Sequence, residues 1–396
     1  VSPIRNAEDS SIKKIIAVFA AAVIALCPLV QPAEAVCAAS TAPGTYAAAA
    51  GTASDTAGTD ALKSGEADYI CSLAVKSGPL AGAIPESTAD NTVNPYFDDF
   101  ACLGLVSYGR AADRQTVLSY INWHIAHMNT AAQDKYGLAG TIYDYADGVS
   151  TGNYDSTDSY AATFIMLLDN YCRVYDSDFL RGREDLLDTL VSVMKSTYIE
   201  KISLSKATPG YDECILMDNC EVFRGFKSAS HIYSSYLNDT AKAAAMQTYA
   251  ARTKTAIRKR FWSSSQHCFR PAADISGRPE SRTRLSIFYP DASCQLFPVI
   301  YGVIKPEGSM AKHAYAAFKK YYLRKGVSGR DWAAVSVRGS EGYPWCILLS
   351  GIIKMNDMKT AHRYEKNLQK KFITSGHPYP YYCGEAGWYL MSLSAR

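Results

Sequence analysis

Apolar positions recur at i, i+3 and i+4 over most of the chain beyond residue 67, a spacing that predicts helices. The helical segments fall into two classes. One class is amphipathic. Segment 184–201 sets Leu186, Leu187, Leu190, Val191, Met194 and Tyr198 on one face, with Glu184, Asp185, Asp188 and Lys195 on the other. Segments 114–128, 240–262, 309–322 and 357–372 repeat this pattern, and 67–76 is a shorter version. The second class is apolar nearly all round: 95–106, 160–175, 220–236, 291–304, 343–353 and 386–393. Such helices must be enclosed by others. The classes alternate, and the last enclosed helix can pair with the first amphipathic one. The expected fold is all-α, an (α/α)6 barrel of six inner and six outer helices over 67–396.

The N-terminal region follows another pattern. Lys13 and Lys14 precede an uncharged run over 15–30, and Ala33-Glu34-Ala35 offers a small-x-small cleavage site. Residues 1–35 are expected to be a signal peptide, which makes the protein secreted or displayed at the cell surface. The apolar run is short for a membrane span, which needs roughly 20 residues. Residues 36–66 are rich in Ala, Thr, Gly and Ser, lack large periodic apolar residues, and are expected to form a flexible linker.

Composition changes this picture in three ways. With 41 Lys+Arg against 38 Asp+Glu, the net charge is +3, which gives no electrostatic case for nucleic acid. Aromatic residues are abundant, with 28 Tyr, 13 Phe and 5 Trp, and flat hydroxyl-bearing rings suit a surface or cleft. The 11 cysteines raise the question of disulfides. Cys214 and Cys220 are the nearest pair and could bridge a turn, but most others sit in apolar helical runs as small buried hydrophobes. No zinc-like spacing occurs, so neither metal nor cofactor is expected.

Each enclosed helix begins in a polar, aromatic cluster. These are NPYFDDF (94–100), NYDSTDSY (153–160), LMDNCEVF (216–223), FYPDASCQ (288–295), GSEGYPW (339–345) and YYCGEAGWY (381–389). Helix capping explains acids and amides at such positions one cluster at a time. It does not require Tyr96, Tyr154, Tyr160, Tyr343, Trp345 or Trp388. In a barrel of parallel inner helices all six clusters meet at one end, as a bowl of carboxylates and rings. The Gly- and Ser-rich loop 137–160 overlies it and carries Asp144, Asp147, Asp155 and Asp158. Asp155 and Asp158 are three residues apart at a helix start and project alike.

This alternation of inner and outer helices with acid- and aromatic-rich starts resembles the six-hairpin glycosidase superfamily over about 67–396. Segment DSTDSYAATF (155–164) is loosely similar to the Asp-x-Asp helix start of glycoside hydrolase family 8, with one residue more between the acids. Ser340-Glu341-Gly342 is similar to that family's acid-bearing Ser-Glu-Gly, but follows the Asp pair instead of preceding it. The resemblance implies a glycoside hydrolase with a poly- or oligosaccharide substrate.

Glycoside cleavage needs a carboxylic acid to protonate the leaving oxygen and a carboxylate to activate water or attack. Asp155 or Asp158 is the expected base and Glu221 or Glu341 the expected acid. Tyr96, Asp144, Tyr154, Tyr160, Asp218, Asn219, Arg224, Asp291, Tyr343, Trp345, Glu385 and Trp388 are the expected substrate contacts. The alternatives are a polysaccharide lyase, using His231 or Arg224 beside a Tyr base, and a non-catalytic carbohydrate-binding protein. No GxSxG elbow or phosphate-binding loop occurs. A monomer is expected, with no membrane contact beyond a possible N-terminal anchor.

Overall fold

The computed structural model describes residues 53–89, 91–279 and 282–395. The expected signal peptide and the first part of the expected linker lie outside them. Among the described residues there are twelve α-helices and eight strands of two or three residues. Ala57–Arg396 form one compact unit.

The helices are α1 (Ala53–Leu73), α2 (Pro95–Tyr108), α3 (Arg114–Ala126), α4 (Thr157–Val174), α5 (Glu184–Ser196), α6 (Leu216–Ser235), α7 (Thr240–Arg260), α8 (Phe297–Ile300), α9 (Ser309–Tyr322), α10 (Ile347–Lys354), α11 (Met358–Lys371) and α12 (Cys383–Ser394). The strands pair antiparallel in the connections: β1 (Tyr145–Ala146) with β2 (Val149–Ser150), β3 (Tyr198–Ile199) with β4 (Leu204–Ser205), β5 (Glu213–Ile215) with β8 (Ala272–Asp274), and β6 (Trp262–Ser263) with β7 (Cys268–Phe269).

The even-numbered helices α2, α4, α6, α8, α10 and α12 touch in succession, and α12 returns to α2. The closest approach is between α2 and α12. A Cβ on Gly387 would lie 2.1 Å from the Phe100 carbonyl oxygen, and one on Gly104 2.6 Å from the Gly387 Cα. Only glycine at both positions lets these backbones meet. The core spans these helices, with Phe164, Phe226, Tyr171, Tyr233 and Tyr389 fully enclosed.

Four boundaries differ from expectation. Helix α1 begins at Ala53, inside the expected linker, and Glu66 is fully buried. Glu66 accepts a 2.6 Å bond from the Tyr381 hydroxyl and contacts His377 Nε2 at 3.2 Å, and this anchor lies far away in sequence. Segment 184–201 ends its helix at Ser196 and turns into the β3–β4 hairpin. Segment 291–304 is not one helix. It runs through a π turn, a 3-10 turn and then the short α8, because Pro298 fits only the first turn of a helix. The expected start near 343 moves to Ile347, since Pro344 precedes Trp345 at φ +58°. All nine cysteines among the described residues are free thiols, so Cys214 and Cys220 do not bridge. No helix among those residues is long and apolar enough to cross a membrane.

Candidate active site

The first turns of α2, α4 and α6 bring tyrosines and carboxylates together. Asn94 caps α2 with its side-chain oxygen, which accepts from the Tyr96 and Phe97 amides. This cap orients Tyr96, whose hydroxyl donates a 2.7 Å bond to Glu221 Oε1 on α6. Tyr301, just past α8, donates to the same oxygen at 3.0 Å. Glu221 is almost wholly enclosed, and burial raises its carboxyl to about 7 while the two tyrosines pull it down.

Asp158 lies in the first turn of α4 and is fully buried. Its Oδ1 accepts from the Ser156 hydroxyl at 2.6 Å and the Ser159 amide at 2.9 Å, while Oδ2 accepts no hydrogen bond. Burial lifts it to about 7. Asp218 begins α6 one turn before Glu221 and reaches solvent. Crowding by protein, and then the charges of Asp158, Glu221 and Asp155, raise it well above the usual carboxylate range.

Asp155 is the most solvent-open acid of the group. Protein crowds its remaining sides, and the lost hydration lifts it to about 6, with the Lys135 ammonium pulling the other way. Asp144 is half-buried at the edge of the loop and accepts a 2.9 Å bond from Tyr160. Burial raises it to about 7. Tyr160 also donates to Asn94 at 3.2 Å and stacks on Tyr96 with centroids 5.8 Å apart. A half-exposed ring, Tyr289, sits in the field of Asp155 and Asp218 and packs against Trp345 at 5.4 Å.

Thus Asp144, Asp155, Asp158, Asp218 and Glu221 meet at one end of the helices, with Tyr96 and Tyr160 among them. Tyr343 shares a hydrogen bond with the Tyr379 hydroxyl at 2.7 Å and lies edge-on to Tyr382. Trp345 is linked to the acid cluster through Tyr289.

The remaining expected residues do other work. Glu341 is exposed in a turn at φ +53° and makes no hydrogen bond to the clustered acids. Glu385 is enclosed, and both of its oxygens are taken by the Trp345 and Cys346 amides at 3.0 and 2.6 Å. It therefore satisfies the free amides at the start of α10 rather than a sugar. Asn219 is fully buried and binds Ser205 N, Ser205 O and Ile215 O, clamping the β3–β4 hairpin to α6. Asp291 accepts from the Arg284 amide and holds its own loop. Tyr154 is enclosed, with its hydroxyl 3.0 Å from Asp134. Trp388 packs in the core against Phe97 and Phe100. Arg224 forms no ion pair with Glu221 and lies among Asp169, Arg173 and Tyr301, where burial lowers its guanidinium.

Sequence reasoning missed Tyr301 and Lys135. Tyr301 follows a four-residue helix whose break no local pattern announces. Lys135 sits in a polar loop, and only folding brings it to Asp155. Tyr289 was visible inside the FYPDASCQ cluster, but nothing there marked which ring would reach the acids. Among the described residues no group of His, Cys, Asp and Glu is arranged to hold a metal ion.

No family model matches the chain, and no curated protein matches it. Solved structures do. A structure named a wild-type glycosidase aligns with TM-score 0.61 at 13% identity, over 87% of this chain and 98% of that one. The fold is glycosidase-like. An alpha-amylase from Clostridium perfringens aligns with TM-score 0.54 at 10% identity, covering 84% of this chain and 97% of that one. A family 78 rhamnosidase of Bacillus sp. GL1 aligns at 0.51 and 10% identity, over 78% of this chain and 30% of its own. At these identities the likeness concerns the fold, and the site must be read from this chain's own residues.

Proposed function

We propose that the protein is a glycoside hydrolase acting on a poly- or oligosaccharide, built on an (α/α)6 barrel. The closed succession of even-numbered helices supports the barrel, and the glycosidase neighbours support the reaction class. The observation that carries the reading is the division among the clustered carboxyls: Asp155 and Asp218 reach solvent, while Asp158 and Glu221 are enclosed behind them.

From that division we infer the roles. Asp155, at about 6, is ionised at neutral pH and serves as the base or nucleophile. Asp218, pushed well above the usual carboxylate range by crowding and then by its acidic neighbours, is the proton donor in this reading. As the glycosidic C–O bond breaks, the Asp218 proton passes to the leaving oxygen. Asp155 takes a proton from the attacking water or bonds the anomeric carbon itself. Tyr343, Tyr379 and Tyr289 offer faces for sugar rings. One variant of the similar glycosidase is solved in complex with glucose, which favours a neutral hexose at this bowl.

The test is reducing-end release by the purified protein on a panel of neutral glycans, with Asp155→Asn as control. Release by the wild type alone is expected. Products absorbing in the near ultraviolet would instead mark elimination, and binding without turnover a non-catalytic protein. We further propose export through residues 1–35, supported by the Lys13-Lys14 pair and the apolar run after it. N-terminal sequencing of protein from the medium checks this.

A further inference from the structure

A second concave surface lies on another part of the helical unit and has the opposite chemistry. It is a groove of about 530 Å³ between the turn of the β3–β4 hairpin and one face of α7. Lys201 and Ser203 come from the hairpin, and Thr248, Arg252, Thr255 and Lys259 recur at i, i+4, i+7 and i+11 along the helix. Arg260 closes one end. Not one acid is among the lining residues. The whole of α7 carries Lys242, Arg252, Lys254, Arg258, Lys259 and Arg260 without a single Asp or Glu.

A cationic helix face is ordinarily solvated and carries no binding role. Three features set this one apart. First, its arginines are held in place. Arg260 donates to the Ile202 and Gly277 carbonyls at 3.2 and 3.3 Å, and pairs with no carboxylate. Arg252 pairs with Glu200 at 2.7 Å and donates to Ser203 at 3.3 Å. Second, Glu200 is already taken by Arg252 and by a 2.6 Å bond from Tyr249, so it does not neutralise the rest. Lys201 and Lys259 are exposed and form no ion pair, which leaves them and Arg260 uncompensated across a shared hollow. Third, the Thr248 and Thr255 hydroxyls donate to the Ala244 and Ala251 carbonyls and so face the groove as acceptors, which with the Gln247 amide suits a ligand that carries hydroxyls as well as charge.

We propose that this groove is a non-catalytic binding site for an anionic polysaccharide, one whose sugars carry carboxylate or phosphate groups. Charge complementarity selects the anion, and the fixed guanidinium of Arg260 supplies directional donors. Single-stranded nucleic acid fits less well, because no exposed ring lines the groove to stack on bases. Tyr249, the nearest ring, is turned to Phe226 and Tyr198. The site would hold the protein on a charged matrix while the acidic bowl acts on neutral chains.

The test is affinity electrophoresis and calorimetry of the full chain with polygalacturonate as probe, and dextran and a homopolymeric oligonucleotide as comparisons. Binding to polygalacturonate that weakens steeply with added salt is expected, and none to dextran at this groove. Lys201→Glu combined with Lys259→Glu should weaken it at least tenfold. Both side chains are exposed, so the fold should persist, which circular dichroism checks; the milder pair Lys201→Gln and Lys259→Gln should give a smaller loss. Asp155→Asn should bind polygalacturonate as the wild type does, which keeps this result separate from the fate of the hydrolase reading. Equal binding by the charge-reversed and wild-type proteins, or tighter binding of the oligonucleotide than of polygalacturonate, would overturn the proposal.

Discussion

The Tyr96 hydroxyl, set at the start of α2 by the Asn94 cap, donates a 2.7 Å hydrogen bond to Glu221 on α6. The bond ties α2 to α6 beside the clustered acids. Glu221 Oε1 accepts from Tyr301 as well. Tyr96→Phe should therefore raise Glu221 further above about 7, since the bond favours the ionised form. It should also cost about 1 kcal/mol of stability. Difference infrared titration and chemical denaturation measure the two effects, and an unmoved Glu221 titration would contradict the link.

The same carboxyls make stability depend on pH. Asp144, Asp158, Glu221 and Glu385 are lifted by burial to about 7 in the folded chain. Unfolded, such groups titrate near about 4. Between those values the folded protein binds more protons, so their contribution is fully present below pH of about 4 and is lost as pH rises through about 7. The melting temperature should fall from pH 5 to pH 7.5, and Asp158→Asn should flatten that slope. A melting temperature that climbs over this range would contradict the burial of these acids.

Glu341 and Glu385 separate a surface acid from a structural one. Glu341→Gln should leave both activity and stability unchanged, because the side chain is exposed. Glu385→Ala should destabilise by about 2 kcal/mol, since it strips two enclosed amides of their acceptor. Denaturation midpoints for the two variants check the contrast.

Gly387→Ala tests the α2–α12 contact. The added Cβ would meet the Phe100 carbonyl at 2.1 Å, backbone that cannot move aside without parting the helices. A loss of about 3 kcal/mol is expected by denaturant unfolding. A near-neutral result would mean that these helices are farther apart than described.

Much of this fold was legible because its signal is local. Periodicity placed α7, α9 and α11 nearly at their bounds and α5 at its start, and continuous apolarity marked α2, α4, α6 and α12 as enclosed. What failed was also local. Prolines at 298 and 344 broke helices that apolarity alone would continue, and the small residues over 53–66 read as linker although Ala-rich stretches also favour helix. The site was half legible for a different reason. A helix start rich in acids places them at one end of their helices, and Asp155, Asp158, Asp218 and Glu221 lie close enough there to feel one another's charge. Sequence cannot tell an acid that faces the bowl from one that turns to cap a neighbour, as Glu385 does for α10. That choice depends on contacts between elements distant in sequence.

The roles of Asp155 and Asp218 are tested most directly by leaving-group dependence. Wild type, Asp218→Asn and Asp155→Asn would be assayed on a disaccharide and on the matching dinitrophenyl glycoside, whose leaving group needs no proton. Asp218→Asn should lose about a hundredfold or more on the disaccharide yet keep most of its rate on the aryl glycoside, and Asp155→Asn should lose both. Wild-type rates for either variant on the disaccharide, or equal losses by Asp218→Asn on both substrates, would contradict the assignment.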